Sequence, residues 1–333
     1  MSKNAKQFAM SFDGDNRFAS SMLKGKFQYY LEYDSPLSCQ SFNASLALTK
    51  DFAEEVGKEE RLFAWTLSDR LLDEHCHDPV LFAEALNKSS KKPVIMTISG
   101  RNSDSDRIKT LLAEAYEKGL RNFLACSGHL IEQDFSGNKR YFDSVATLGI
   151  AADFGKELRI GAVVNPFKYT AEDQLLQYAK MLCKVNNGAS FLITQAGWDM
   201  KKAQELQWFL QKNNLTLPLI ARVCYINFEE AEKLAEGYRP GVFLPVPMGC
   251  LFQQDASKTA EEYQEKQLFR LALQIVAHHR LGYSAIQIAG LHSASLLKKL
   301  FDKIDELEKE LPDYNSWLAE WQKQFGDLNL SAT

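Results

Sequence analysis

What this sequence lacks narrows its class before any motif is considered. No uninterrupted apolar run approaches the length of a membrane-spanning helix, and the basic residues near the N-terminus are not followed by the apolar segment of a secretory signal. The expected location is the cytoplasm. There is no excess of basic charge: 39 Lys and Arg stand against 43 Asp and Glu, a net of −4. A phosphate backbone would find no cationic surface to displace its counterions, so nucleic acid is excluded as a partner. The six cysteines never form a Cys-x-x-Cys pair and are too sparse for a disulfide framework. They read as reduced thiols. His75-Cys76-His77 is the nearest approach to a metal cluster, but adjacent side chains do not converge on one ion as ligands spaced by two to four residues do, so no metal is expected. His278-His279 falls on an expected helix, where consecutive residues diverge around the axis. Neither a Gly-x-Gly-x-x-Gly turn after a strand nor a Gly-x-x-x-x-Gly-Lys-Ser/Thr loop occurs.

What is present is a repeated alternation of short apolar runs with amphipathic segments, without a low-complexity linker. Enrichment in β-branched and aromatic residues marks eight candidate strands, at 27–33, 62–66, 93–98, 121–126, 159–164, 190–195, 218–223 and 286–291. Helical periodicity fills Ser103–Lys118, Thr170–Val185 and Met200–Lys212, with Gly119 and Gly188 as stops after the first two. Eight βα units in 333 residues give the arithmetic of a (β/α)8 TIM barrel with a C-terminal helical extension. A doubly wound open sheet is the alternative, since strand count does not establish closure. The expected organisation is an N-terminal segment at 1–26, the barrel at 27–298 and the extension at 299–333, with an interruption of the seventh unit at 238–262.

In such a barrel the reactive residues sit where strands end. Those ends supply Glu32, Thr66, Ser99, Ser127-Gly128-His129, Asn165, Gln195, the stretch from Arg222 to Tyr225, and His292. Glu32, within the apolar YYLEY run, has two readings. It is a general acid, because desolvation favours the protonated form of a carboxyl, or it is an ion-paired carboxylate beside an Arg or Lys. Gln195 either offers its amide to a heterocycle or bonds loop backbone. The residues alone leave both pairs open.

The ordered series LEYDSP, FAWTLSD, ISGRN, GLRNFLACSGH, RIGAVVNP, KVNNGASFLITQAGWD and YINFEEAEKL resembles the 5,10-methylenetetrahydrofolate reductase family over about residues 27–300. KVNNGASFLITQ is its most specific piece. The resemblance implies a flavin-containing (β/α)8 barrel that reduces a folate-bound methylene to methyl, with FAD as cofactor, NADH or NADPH as electron donor and a tetrahydrofolate derivative as substrate. A homo-oligomer or a partner subunit is compatible with it. By position, Glu32 matches the acid that protonates a folate nitrogen. Gln195 matches the pterin-contacting amide, and Phe228 a stacking aromatic whose alternative is a helix-start staple. Asp199 follows the Gln loop, where an N-cap is the structural alternative. Thr66 and Lys184 match flavin-contacting positions. The chain departs from the pattern on the flavin side. Thr97-Ile98-Ser99-Gly100 replaces a His-Leu-Thr-Cys-like segment, Ser127-Gly128-His129 replaces Arg-Gly-Asp, and Asn165 replaces a Tyr. His129 in place of a carboxylate alters the charge at the flavin edge and is a candidate for substrate contact. The implied cofactor set is thus Thr66, Ser127, Gly128, Asn165 and Lys184, with weakened hold on FAD. A flavin-free folate group-transfer enzyme and a non-catalytic folate-binding subunit are the alternatives.

Overall fold

The computed structural model describes residues 25–68, 76–100, 103–127, 142–154, 157–233 and 241–326. Eight parallel strands form a closed barrel in sequence order: β1 Gln28–Asp34, β2 Leu62–Ser68, β3 Val94–Ser99, β4 Asn122–Cys126, β5 Arg159–Val164, β6 Leu192–Thr194, β7 Leu219–Cys224 and β8 Ala285–Ala289. Closure is made by β8, which pairs with both β7 and β1. All eight expected strands are present. They were readable because parallel strands covered on both faces are nearly continuous apolar runs. β6 is shorter than the expected 190–195 because the chain leaves the ladder at Ala196 to bridge in parallel with Val242.

The helices are α1 Phe42–Gly57, α2 Pro79–Ser90, α3 Ser105–Glu117, α4 Ser144–Phe154, α5 Ala171–Asn186, α6 Met200–Lys212, α7 Phe228–Lys233, α8 Val246–Ala256, α9 Ala260–Arg280, α10 Ala294–Glu310 and α11 Tyr314–Phe325. Short polar side chains start most of them by accepting an otherwise orphaned helix N–H, as Thr170 does for Asp173 and Asp199 for Lys201 and Lys202. Among the described residues no helix is long and apolar enough to cross a membrane.

The two faces of each strand feed two cores. Outward residues join the helices in one large cluster, while Tyr30, Ile95, Leu124, Phe191, Ile193 and Ile220 fill the barrel interior. Gly161 has an inward position on β5, and a Cβ there would lie 2.2 Å from the Phe191 ring. The missing side chain is what admits the large one. Alternation then decides the mouth: two residues above inward Tyr30 comes Glu32, above Ala64 comes Thr66, and above Ile220 comes Arg222.

After β7 the chain inserts α7 and α8 before α9, the helix that leads into β8. Buried Asp255 of α8 is tied to α9 by Arg270 and by Lys266 at 2.7 Å, and Arg270 also donates to the Gln324 carbonyl of α11. The Trp317 indole N–H donates to the Leu273 carbonyl at 3.0 Å, so α11 packs on α9. The expected boundary at 298/299 falls inside α10, which begins directly after β8 with a Ser293 cap and completes the eighth βα unit. Within the described residues the extension is α11 alone.

Candidate functional site

Glu32 lies at the C-terminal end of β1 with 5% of its surface exposed. Register places it opposite Thr66 of β2, and Arg222 of β7 opposite Gln287 of β8. Arg222 grips Glu32 with two parallel bonds, Nε to Oε2 at 2.7 Å and Nη2 to Oε1 at 2.8 Å. Gln287 Nε2 adds a third, to Oε2 at 2.5 Å. Burial opposes the charge on Arg222, but the adjoining Glu32 carboxylate outweighs it by charge and hydrogen bonding, and Cys224 and Asp34 act in the same direction. The guanidinium is therefore held above its ordinary pKa. Charge-assisted bidentate pairing of this kind is strong and directional. Of the two sequence readings of Glu32, the ion-paired carboxylate is the arrangement present.

Two polar atoms beside this pair stay unmatched. Thr66 Oγ1 and Gln287 Oε1 are buried without a hydrogen-bond partner among the described residues, on side chains 2% and 4% exposed. Such atoms carry a desolvation cost that a bound polar ligand can relieve. They flank Glu32 on either side in the barrel wall.

Gln195 follows β6 with the same parity as inward Phe191 and Ile193 and is half-buried. Its backbone N–H donates to the Val164 carbonyl at 2.9 Å. The turn behind it is braced from two directions. Ala196 exchanges bonds with the 241–243 segment, its N–H donating to the Gly241 carbonyl and its carbonyl accepting from Phe243. Gln274 of α9 donates to the Gly197 carbonyl at 2.5 Å. Phe167 stacks on Phe243 with centroids 5.8 Å apart, and Tyr169 leans on the same ring while its hydroxyl donates to Asp199. Asp199 is thereby confirmed as the N-cap of α6.

The other expected residues are engaged locally. Ser127 Oγ accepts from the Ser144 N–H at 3.0 Å and holds the start of α4. Asn165 Oδ1 accepts from the Phe167 N–H at 3.0 Å, which folds its own loop. Lys184 donates to the Val163 carbonyl at 2.7 Å, and burial pushes its ammonium below its ordinary pKa range. Phe228 packs edge-to-face on Tyr263 with centroids 5.6 Å apart, so it serves as a helix-start anchor. Gly128 and His129 lie outside the described residues, as does His75. Of the flavin-matching set, Ser127, Asn165 and Lys184 each make a bond to local backbone, Ser127 Oγ also donates to Ser144 Oγ at 3.3 Å, and Thr66 sits against Glu32.

Sequence reading placed Arg222 at the rim without giving it a partner, and it missed Gln287. A detectable signal existed for both, a single polar residue at the inward parity of an otherwise apolar strand in LIARVC and AIQIA.

A closed barrel with a charged, buried constellation at the C-terminal ends of its strands defines a (β/α)8 protein with an enzyme-like mouth. The chain belongs to the methylenetetrahydrofolate reductase family, whose model matches residues 74–281. That span includes Ser127, Asn165, Lys184, Gln195, Arg222 and Phe228, while Glu32, Thr66 and Gln287 lie outside it. No curated protein matches the chain. Among solved structures, an uncharacterized protein from Clostridium thermocellum that binds two copies of 5-methyl-5,6,7,8-tetrahydrofolic acid is similar in fold. It has a TM-score of 0.63 and 12% sequence identity, covering 88% of this chain and 99% of that one.

Proposed function

We propose that the barrel mouth binds a reduced folate and that the chain is a methylenetetrahydrofolate reductase-like enzyme, converting the 5,10-methylene to the 5-methyl form. The observation that carries this reading is the buried Glu32, held by Arg222 and Gln287, with the unmatched Thr66 hydroxyl and Gln287 carbonyl on either side. Family membership and the methyl-folate bound by the solved protein of similar fold support it.

In this reaction a proton reaches a folate nitrogen, the five-membered ring opens to an iminium, and a hydride from a donor of the reduced nicotinamide class completes the methyl group. Glu32 is the acid. In the folate-free protein its oxygens accept three hydrogen bonds, so it takes up and passes on the proton as its pairing with Arg222 loosens against the folate. Gln195 offers its amide to the heterocycle. No step is assigned to a flavin.

Replacing Glu32 with Gln keeps the shape and one acceptor oxygen, turns an amide NH2 toward the N–H donors that hold the carboxylate, and removes the transferable proton. Turnover of methylene-folate is expected to fall by about 10²–10⁴-fold with folate affinity little changed. Full turnover in Glu32→Gln would overturn the acid role. The Arg222 pair itself favours a second reading, a folate-binding barrel without chemistry of its own, in which Glu32 is a fixed wall of the site. Folate binding without turnover by wild type, with NADH, NADPH or reduced flavin as donor, would select it.

A further inference from the structure

We propose that Arg222 is a positioning residue that couples the two halves of the folate site, setting Glu32 on β1 and the Gln195 turn after β6 through one guanidinium. The inference rests on the folate reading of the mouth for the identity of the ligand, and on geometry for the coupling. All three faces of the guanidinium are used. Nε and Nη2 hold Glu32, and Nη1 donates to the Gly241 carbonyl at 2.8 Å. That same carbonyl accepts the Ala196 N–H at 2.9 Å, and Phe243 N–H returns to the Ala196 carbonyl at 2.7 Å. Arg222 thus reaches the residue next to Gln195 through a single shared acceptor. Its own backbone N–H adds a second link, to Thr194 Oγ1 at 3.1 Å, one residue before Gln195.

Gly241 is built for this contact. Its φ of +71° lies in the left-handed region, and a Cβ added there would stand 3.0 Å from Arg222 Nη1. A larger residue would push the guanidinium off the carbonyl. Loss of the Arg222–Gly241 bond leaves the Ala196 turn to its backbone pairing with 241–243, the Gln274 bond at Gly197, the packing on Phe243 and the Thr194 Oγ1 link, and removes the guanidinium that ties Glu32 to it.

The test uses Arg222→Lys, which keeps a positive charge near Glu32 but cannot span both Glu32 and Gly241, with Gly241→Ala as a second route to the same disconnection. In the ligand-free proteins, hydrogen exchange of the Ala196 and Phe243 amides is expected to speed up by about tenfold or more in both variants, while amides of β3 and β4 stay within about twofold of wild type. Unchanged exchange at Ala196 and Phe243 in whichever variants fold overturns the coupling. In calorimetric titrations with 5-methyltetrahydrofolate, Gln195→Ala is expected to cost about tenfold or more in wild type and less than about threefold in the Arg222→Lys or Gly241→Ala background. Fold-losses that multiply independently would also overturn it. If wild type shows no saturable folate binding while the two amides loosen as expected, the folate reading fails and the coupling stands.

Discussion

The two arcs of the barrel mouth differ in what their polar side chains hold. Along β7, β8 and β1 the side chains of Arg222, Gln287 and Glu32 bond one another, Arg222 reaching the Gly241 carbonyl as well, and beside them Thr66 Oγ1 of β2 and Gln287 Oε1 stay unmatched among the described residues. After β4 and β5, Ser127 and Asn165 bond to the backbone of their own loops, Ser127 also to Ser144 Oγ, and Lys184 of α5 bonds the Val163 carbonyl of β5. Side chains that meet each other form a preorganised site, whereas side chains tied to backbone are structural parts of the scaffold. The difference teaches that the polar residues of the mouth do two kinds of work: around Glu32 they hold one another, with Thr66 beside them, and on the other arc they also brace their own loops.

The strongest way to break this comparison is to unpair the assembled arc. Arg222→Met leaves the buried Glu32 carboxylate without its guanidinium, and urea unfolding at neutral pH is expected to show a loss of about 3–5 kcal/mol. A loss below about 1 kcal/mol would mean the pair is solvated and the arc is not preorganised.

A titratable group outside both arcs gives a further perturbation. His278 on α9 is fully buried, its ring edge-on to Tyr283, and burial lowers its pKa from 6.5 to about 4 despite a bond to the Gln274 carbonyl. The unfolded chain takes up this proton near pH 6.5 and the folded chain only near pH 4, so stability is complete above the first value and falls as pH drops toward the second. The loss is about 3 kcal/mol, from about 1.4 kcal/mol per pH unit over that interval. His278→Asn is expected to flatten that slope in pH-dependent unfolding, whatever its effect at neutral pH.

Gln195→Ala sharpens the contrast in binding rather than stability. Folate affinity is expected to drop by about 1–3 kcal/mol in calorimetry, with the unfolding midpoint nearly unchanged because Gln195 is a half-buried rim residue. The smallest effects are expected on the other arc. Lys184→Met is expected to alter folate affinity less than about twofold. Absorbance scans with added FAD or FMN are expected to show no stoichiometric yellow complex, and recovery of the protein with tightly bound flavin would show that the β4 and β5 arc still serves a cofactor.

The sequence made the barrel legible because each strand, buried on both faces, is a compact apolar run, and because caps such as Thr170 and Asp199 mark helix starts. Asp199 was readable as two things, and it is the N-cap of α6; Phe228 was also readable as two things, and it packs on Tyr263. Arg222 and Glu32 are 190 residues apart, and nothing local to either names the other. Their meeting is a product of barrel closure, in which β1, β8 and β7 become consecutive neighbours. The end of the barrel was misplaced because α10 and α11 are both amphipathic, and only packing separates the last barrel helix from the added one.

The most direct test of the two-arc account is to titrate 5-methyltetrahydrofolate into the protein and follow backbone amide chemical shifts residue by residue. Saturable changes concentrated at Glu32, Thr66, Gln195, Arg222 and Gln287, with Ser127, Asn165 and Lys184 little affected, are the expected result. Saturable changes confined to Ser127, Asn165 and Lys184, or no saturable change anywhere, would contradict it.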